Sequence, residues 1–317
     1  MPLHTRYYLN KATERPRFFL GKLLQREVAK GIPYGLTSRK LAHAEARLTT
    51  QEQDRLDYYL QPPSTTQPVT FDQCVSTFKR DRNALQYFDV APLLHRFAGH
   101  YRFNILYGDI TAVPTQPAFV KSRPIHGDNA NAVLLKISTL RHFSFVEDLL
   151  SWEQKQDSAI WRGHAHNDNR KRLITSNLHN PKINAAQTNR NYDGLPPKAP
   201  FMPIPQQLKH KFLLSIEGVD VASNLKWAMG SQSLVISPTL HYETWFMEGM
   251  LQPGVHYVEV KNDFSDLEAK IDYYLSHPAE AKAIVRNANN YTQPFRNHAR
   301  EWILNMLVIK RYFETYN

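Results

Sequence analysis

The residues best suited to chemistry lie in four short runs. The first is IWRGHAHNDNRKRL, Ile160 to Leu173. An apolar strand ends at Trp161, Arg162 and Gly163 open a turn, and a basic helix begins near Arg170. Gly163 lets backbone approach a ligand closely. Arg162, Arg170, Lys171 and Arg172 supply charge suited to a diphosphate, and a helix start adds oriented N–H groups. An exposed basic turn would have the same composition. His164 and His166 stand two apart, but no Cys, Glu or further His completes a ligand set at helical spacing. They read as loop histidines beside a polar pocket, and no metal is expected.

The second run is EGVDVASNLKW, Glu217 to Trp227. It combines a strand end, a small polar turn holding Gly218, and a helix beginning near Ser223 and Asn224. Lys226 falls in the first helical turn, where a cation opposes the helix dipole. It calls for an anionic partner, either a ligand phosphate or a neighbouring carboxylate. Glu217 and Asp220 can accept sugar hydroxyls or serve the loop itself. In the third run, YETWFMEGM, Glu243 and Glu248 flank Trp245, Phe246 and Met247, which read as core. In the fourth, ILYGDIT, Asp109 stands just past a buried strand. A carboxylate there can act as a general base or cap the turn before Thr111; the local residues leave both readings open. No Asp-x-Asp triplet offers a carboxylate cage for a cation on a nucleotide diphosphate, so Arg, Lys and helix starts would have to stabilise leaving phosphates.

These runs need elements to position them. Between Lys211 and Leu275, apolar segments at Phe212–Ile216, Leu234–Ser237 and Val255–Val260 alternate with helical patterns. That alternation predicts βαβ units on a parallel sheet, with ligands where strand ends meet helix starts. Further strands are expected at Arg102–Leu106, Ala132–Ser138 and Asp157–Arg162. Leu41–Leu60 reads as one helix, Asn83–Ala98 as a helical region broken near Pro92, and Gln61–Pro68 and Asn180–Pro205 as loops. Ser265 and Glu268 have capping-box spacing. Pro278 restarts a helix, Gln293-Pro294 breaks it, and His298–Tyr316 forms a last amphipathic helix. The basic first thirty residues predict a helix that packs on the body or lies on a membrane surface.

A chain of 317 residues accommodates two domains. No apolar run approaches the length needed to cross a bilayer, and the N-terminus lacks a secretory pattern. Cys74 is the single cysteine, which excludes an intrachain disulfide and makes the cytosol the expected compartment. The net charge of +10 favours an anionic partner: nucleic acid, lipid headgroups, a nucleotide or a phosphorylated glycan.

The run SNLKWAMGSQSLVIS, followed by YETWFMEG and GVHYVEVKNDFSDLEAKIDYYL, resembles the pattern of glycosyltransferase family 90. YGDITAVPTQPAFVKSRPI and AIWRGHAHNDNRKRL precede it in the family's order, so the resemblance spans roughly Phe103 to Tyr291. NLKW, YETWFMEG and FVKSRP are nearest to the bacterial lipopolysaccharide-modifying branch. The resemblance implies an α/β chain of GT-B architecture. Residues 1–155 would form an acceptor-binding Rossmann-like domain with a return helix at 296–317, and residues 156–295 would bind the nucleotide sugar. It implies inverting, metal-independent transfer of a hexose from a UDP-sugar to a lipopolysaccharide or lipooligosaccharide core, without a cofactor. Asp109 resembles the family's base, Arg170 its phosphate-binding arginine, Lys226 its lysine and Glu243 its glutamate. Arg162, Gly163, Glu217, Ser223 and Asn224 complete the expected donor site. Asn224 stands where the animal enzymes carry Arg, which shifts weight onto Arg162 and Arg170. The expected setting is the cytoplasm, with peripheral contact on the inner membrane and no nucleic acid. The alternatives are another sugar-nucleotide enzyme of this fold or a basic nucleic-acid-binding protein.

Overall fold

The computed structural model describes residues 3–62, 68–80, 84–189 and 198–317. Most of the Gln61–Pro68 loop, Asn83 and the middle of Asn180–Pro205 lie outside the described residues. The chain divides into two compact units. One holds Asn10–Arg141, Tyr242–Phe246 and Asn297–Asn317; the other holds His142–His241, Met247–Arg296 and the residues up to Leu9.

The first unit begins with the part of helix α1 (Leu3–Lys30) from Asn10 onward, followed by α2 (Tyr34–Glu45) and α3 (Thr50–Tyr59). The single helix expected over Leu41–Leu60 is therefore two. Thr49 restarts the chain through a capping box: its hydroxyl accepts from Glu52 N, and the Glu52 carboxylate accepts from Thr49 N. Two satisfied end groups outweigh the leucine spacing that ran through the break. Strand β1 (Gln73–Cys74), helix α4 (Ala84–Leu94) and strand β2 (Arg102–Phe103) follow, with β1 and β2 antiparallel. Pro92 lies inside α4 and does not break it there. Val90, Ala91, Leu93 and Leu94 are all buried, and their packing holds the last turn across the missing N–H. β3 (Ala118–Val120) and β5 (Ala132–Leu134) pair in parallel, and Ile105 bridges to Phe119. β4 (Ser122–Pro124) lies between them in sequence, and α5 (Thr139–His142) reaches the unit boundary.

The second unit carries β6 (Gln156–Gly163), α6 (Asp168–Ser176), β7 (Ile183–Gln187), α7 (Ile204–Gln207), β8 (His210–Leu214), α8 (Leu225–Met229) and β9 (Leu234–Pro238). The chain then contributes β10 (Tyr242–Thr244) to the first unit and returns for β11 (Val258–Val260), α9 (Leu267–Ser276) and α10 (Pro278–Arg296). Helix α11 (His298–Tyr316) belongs to the first unit. There β10 pairs antiparallel with β4, and buried Glu301 of α11 meets Arg55 (2.8 Å), Lys136 (3.3 Å) and the Trp245 indole N–H (2.5 Å).

The five strands of the second unit form one parallel sheet in the order β11-β9-β8-β6-β7. The expected βαβ reading holds, with one strand it did not contain. β7 lies inside the segment read as a loop because INAAQ is short, holds an Asn and has only Ile183 as a large apolar residue. Its Ala185, Ala186 and Gln187 are nevertheless buried against β6. Travelling along the sheet, strand order reverses between β6 and β8. In open α/β sheets, ligands bind outside the carboxyl ends of the strands at such a reversal.

Three expected boundaries move. Helix α8 starts at Leu225, two residues after Ser223. The Ser265–Glu268 box does not form: Ser265 N donates to Asp263, and the Glu268 carboxylate accepts from Asn180. Helix α10 continues through Pro294 to Arg296, carried by buried Thr292 and Phe295. Among the described residues, no helix is long and apolar enough to cross a membrane.

Candidate active site

The carboxyl ends of β6 and β8 carry the loops His164–Asn167 and Ser215–Asn224, and Arg170 ties them together. Its Nη1 donates to His164 O (3.0 Å), while Nε and Nη2 donate to Ile216 O (3.2 and 2.9 Å). Asn167 makes a parallel tie. Its side-chain oxygen caps α6 by accepting from Arg170 N (3.0 Å), and its Nδ2 donates to Glu217 O (3.1 Å) and Gly218 O (2.8 Å). The guanidinium of Arg170 lies over the Trp161 ring, 5.7 Å from its centroid. Two glycines make room for this stack. A Cβ on Gly163 would fall 2.7 Å from the Trp161 ring, and one on Gly218 would fall 3.0 Å from Arg170 Nη2. A rigid, half-buried positive charge thus sits where the strand order reverses. This geometry suits an anionic group, and most of all a diphosphate, whose oxygens match a planar guanidinium fork.

The neighbouring candidates are placed differently. Arg162 turns toward its own sheet, donating to Trp161 O (2.8 Å), Asn184 O (2.8 Å) and Asn184 Oδ1 (2.7 Å). Burial pushes its pKa down from the ordinary value. Glu217 accepts from His241 N (3.0 Å), and its other oxygen lies 3.1 Å from His241 Nδ1. Ser223 is half-buried in the turn before α8. Asn224 donates to Leu214 O (2.9 Å) and meets Ser215 Oγ (3.3 Å), which fastens the turn to β8. Lys226 is fully buried, with its ammonium 2.5 Å from Oε1 of the equally buried Glu248. The anion that offsets its unfavourable place in the helix dipole is thus a carboxylate of this chain.

Asp109 belongs to the first unit, in the segment between the Ile105 bridge and β3. Its carboxylate is one-third exposed (33%) and pairs with the buried ammonium of Lys121. Both flanking residues are held through their backbone. Gly108, at φ +103°, donates its N–H to Gln86 Oε1 (2.8 Å) and accepts from Gln86 Nε2 (3.5 Å). Ile110 donates its N–H to Ser122 Oγ (3.1 Å) and accepts from that hydroxyl (3.2 Å). Gln86 also reaches Ser138 Oγ (3.2 Å). Among the described residues, the Asp109 carboxylate meets Lys121 and no backbone N–H of its own turn. A partly exposed carboxylate on a backbone clamped from both sides is suited to taking a proton from a bound hydroxyl.

Glu243, on β10, lies opposite Arg123 on β4 in the strand register. Arg123 is fully buried; it donates to Glu243 Oε1 (2.8 Å), Ala132 O (2.9 Å) and Tyr58 O (2.8 Å), and the Tyr58 hydroxyl donates to Glu243 Oε2. Local sequence reading assigned no role to Gln86, Lys121, Ser122, Arg123, Asn167 or Glu248. The signal for three of them was present: Lys121-Ser122-Arg123 is a polar triplet embedded in the buried FV–P strand segment, where unpaired polar groups are not tolerated.

A glycosyl transferase family 90 model matches residues 136–305. The chain is 38% identical over 277 residues to an O-glucosyltransferase, LpsA, of Dichelobacter nodosus, covering 86% of each chain. It is 29% identical over 141 residues to protein O-glucosyltransferase 2 of Danio rerio, covering 42% of this chain and 28% of that one. It is also 28% identical over 160 residues to protein O-glucosyltransferase 1 of Rattus norvegicus, covering 46% of this chain and 41% of that one.

Proposed function

Because the chain belongs to glycosyl transferase family 90, we propose that this glycosyltransferase moves a glucosyl group from UDP-glucose to a hydroxyl of a lipopolysaccharide or lipooligosaccharide core, with inversion at the anomeric carbon. The choice of glucose follows the O-glucosyltransferase relatives. The observation that carries the reading is Arg170, anchored across the β6 and β8 loops at the reversal of strand order.

In the proposed step the acceptor hydroxyl oxygen attacks the anomeric carbon while the bond from that carbon to the UDP β-phosphate oxygen breaks. The hydroxyl proton passes to Asp109, and UDP departs with the bonding electron pair. Arg170 and the backbone N–H groups beginning α6 stabilise the diphosphate, so the mechanism uses no metal. Gln86, Ser122 and Lys121 position Asp109 for the transfer. Glu217 and the turn of Ser223 and Asn224 line the donor end beside Arg170. Arg162, Lys226 and Glu243, each engaged by partners of its own unit, support the loops and strands that carry the contacting groups.

Replacing Asp109 with Asn tests the base. Turnover should fall by about 10²–10⁴ with UDP affinity unchanged. A variant that transfers glucose at the wild-type rate would remove Asp109 from the reaction.

A further inference from the structure

The N-terminal segment combines positive charge with exposed aliphatic side chains. Residues 1–47 contain ten Lys or Arg and three Asp or Glu, a net +7 of the chain's +10. Helices α1 and α2 also hold five of the exposed large hydrophobic residues: Leu20, Leu23, Leu24, Val28 and Leu36.

On α1 these side chains form a pattern. Leu20 (60% exposed), Leu24 (58%) and Val28 (59%) recur every fourth residue and share one face. The opposite face is fixed to the body of the unit. Phe19 meets the Phe88 ring edge-on at 5.4 Å, Lys22 pairs with Asp89 at 3.2 Å, and Ala29 is fully buried. The helix therefore cannot turn its aliphatic stripe inward without breaking these contacts. Arg17 and Lys30 are exposed on the same helix, and Arg39, Lys40 and Arg47 are exposed on or just after α2.

From the exposed aliphatic stripe of α1 and the exposed basic residues carried by α1 and α2, we infer that these helices form a docking surface for a lipid bilayer bearing anionic headgroups. Leu20, Leu24 and Val28 enter the headgroup–acyl boundary, and the basic residues meet the negative surface. The stripe is aliphatic, so it offers nucleic-acid bases no ring on which to stack. A surface that is both apolar and cationic matches a layer that is apolar within and anionic at its edge. The site would hold the transferase where a lipid-anchored acceptor is displayed. It stands on its own observations and does not depend on which sugar is transferred.

The test floats full-length protein with vesicles of phosphatidylcholine alone or mixed with phosphatidylglycerol. The wild type should float with the anionic vesicles, less with the neutral ones, and less as salt rises. The triple variant Leu20→Glu/Leu24→Glu/Val28→Glu should lose at least about tenfold in vesicle affinity, and Arg39→Glu/Lys40→Glu a similar factor. UDP binding and transfer to a water-soluble acceptor should stay at wild-type levels in both, which shows that they are folded. Failure of the wild type to float with either vesicle would overturn the inference. So would a triple variant that floats like the wild type. Light scattering that shows a wild-type dimer made monomeric by the triple variant would assign the stripe to a second copy of the chain and equally overturn it. Should UDP binding be absent throughout, the donor reading fails while the flotation result still decides this one.

Discussion

Lys226→Met removes the cation of an ion pair in which both side chains are 0% exposed. Methionine preserves most of the aliphatic volume, so the chief loss is the charge partner of Glu248. A buried carboxylate left without its cation costs about 3–5 kcal/mol. Against a total stability of roughly 5–15 kcal/mol, that is a large fraction. At ~2–4 °C for each kcal/mol in a unit of this size, the midpoint should drop by roughly 10 °C. Lys226→Met/Glu248→Leu removes both charges together and should recover to within about 1–2 kcal/mol of wild type. The assay is urea unfolding of the wild type, both single variants and the double variant, together with the UDP-glucose KM of the double variant. That KM should be unchanged if Lys226 acts through the loops it supports. A single variant that costs under about 1 kcal/mol would refute the buried pair as a structural element. A stable double variant with a KM raised tenfold or more would place the ammonium on the donor after all.

Gln86→Leu should release Gly108 on one side of the proposed base, lowering kcat by about 10–10² with the donor KM unchanged. Gln86→Glu keeps the acceptor for Gly108 N–H and should regain part of the loss, and equal kcat in all three proteins would show that the clamp has no part in turnover. Burial, aided by nearby Arg162, Lys155 and Lys209, pushes the His210 imidazole down to about 4. The folded form therefore binds the proton more weakly than the unfolded one. The stability due to neutral His210 is complete above about pH 6.5 and declines as pH falls toward 4, by on the order of 3 kcal/mol. Urea midpoints at about pH 7.5 and about pH 5 should diverge less in His210→Gln than in the wild type; parallel declines would point to another group.

Much of this architecture was legible because it rests on local pattern. The apolar runs at Phe212 and Leu234 became central strands, and the 3.6-residue period of α11 marked its full extent. β7 was not legible because an edge strand pairs on one side only and can be built from alanines. Prolines misled twice for one reason: at Pro92 and Pro294 the neighbouring buried side chains hold the helix across the lost hydrogen bond. At the candidate site, residue type and spacing offered Arg170 as a phosphate ligand and the family resemblance offered Asp109 as a base, but neither indicated what holds these residues. Asn167 and Gln86 act through backbone atoms of segments 50 and 22 residues away, and no local pattern encodes such pairs. Lys226 shows the converse. Its conflict with the helix dipole was visible in the sequence, but whether a ligand or Glu248 resolves it depends on tertiary contact.

The most direct test of the central proposal is a crystal structure with UDP bound. The pyrophosphate is expected at the carboxyl ends of β6 and β8, within hydrogen-bond reach of Arg170 and the first N–H groups of α6. Density for it at any other place on the chain, with Arg170 bonded only to His164 and Ile216, would contradict the proposal.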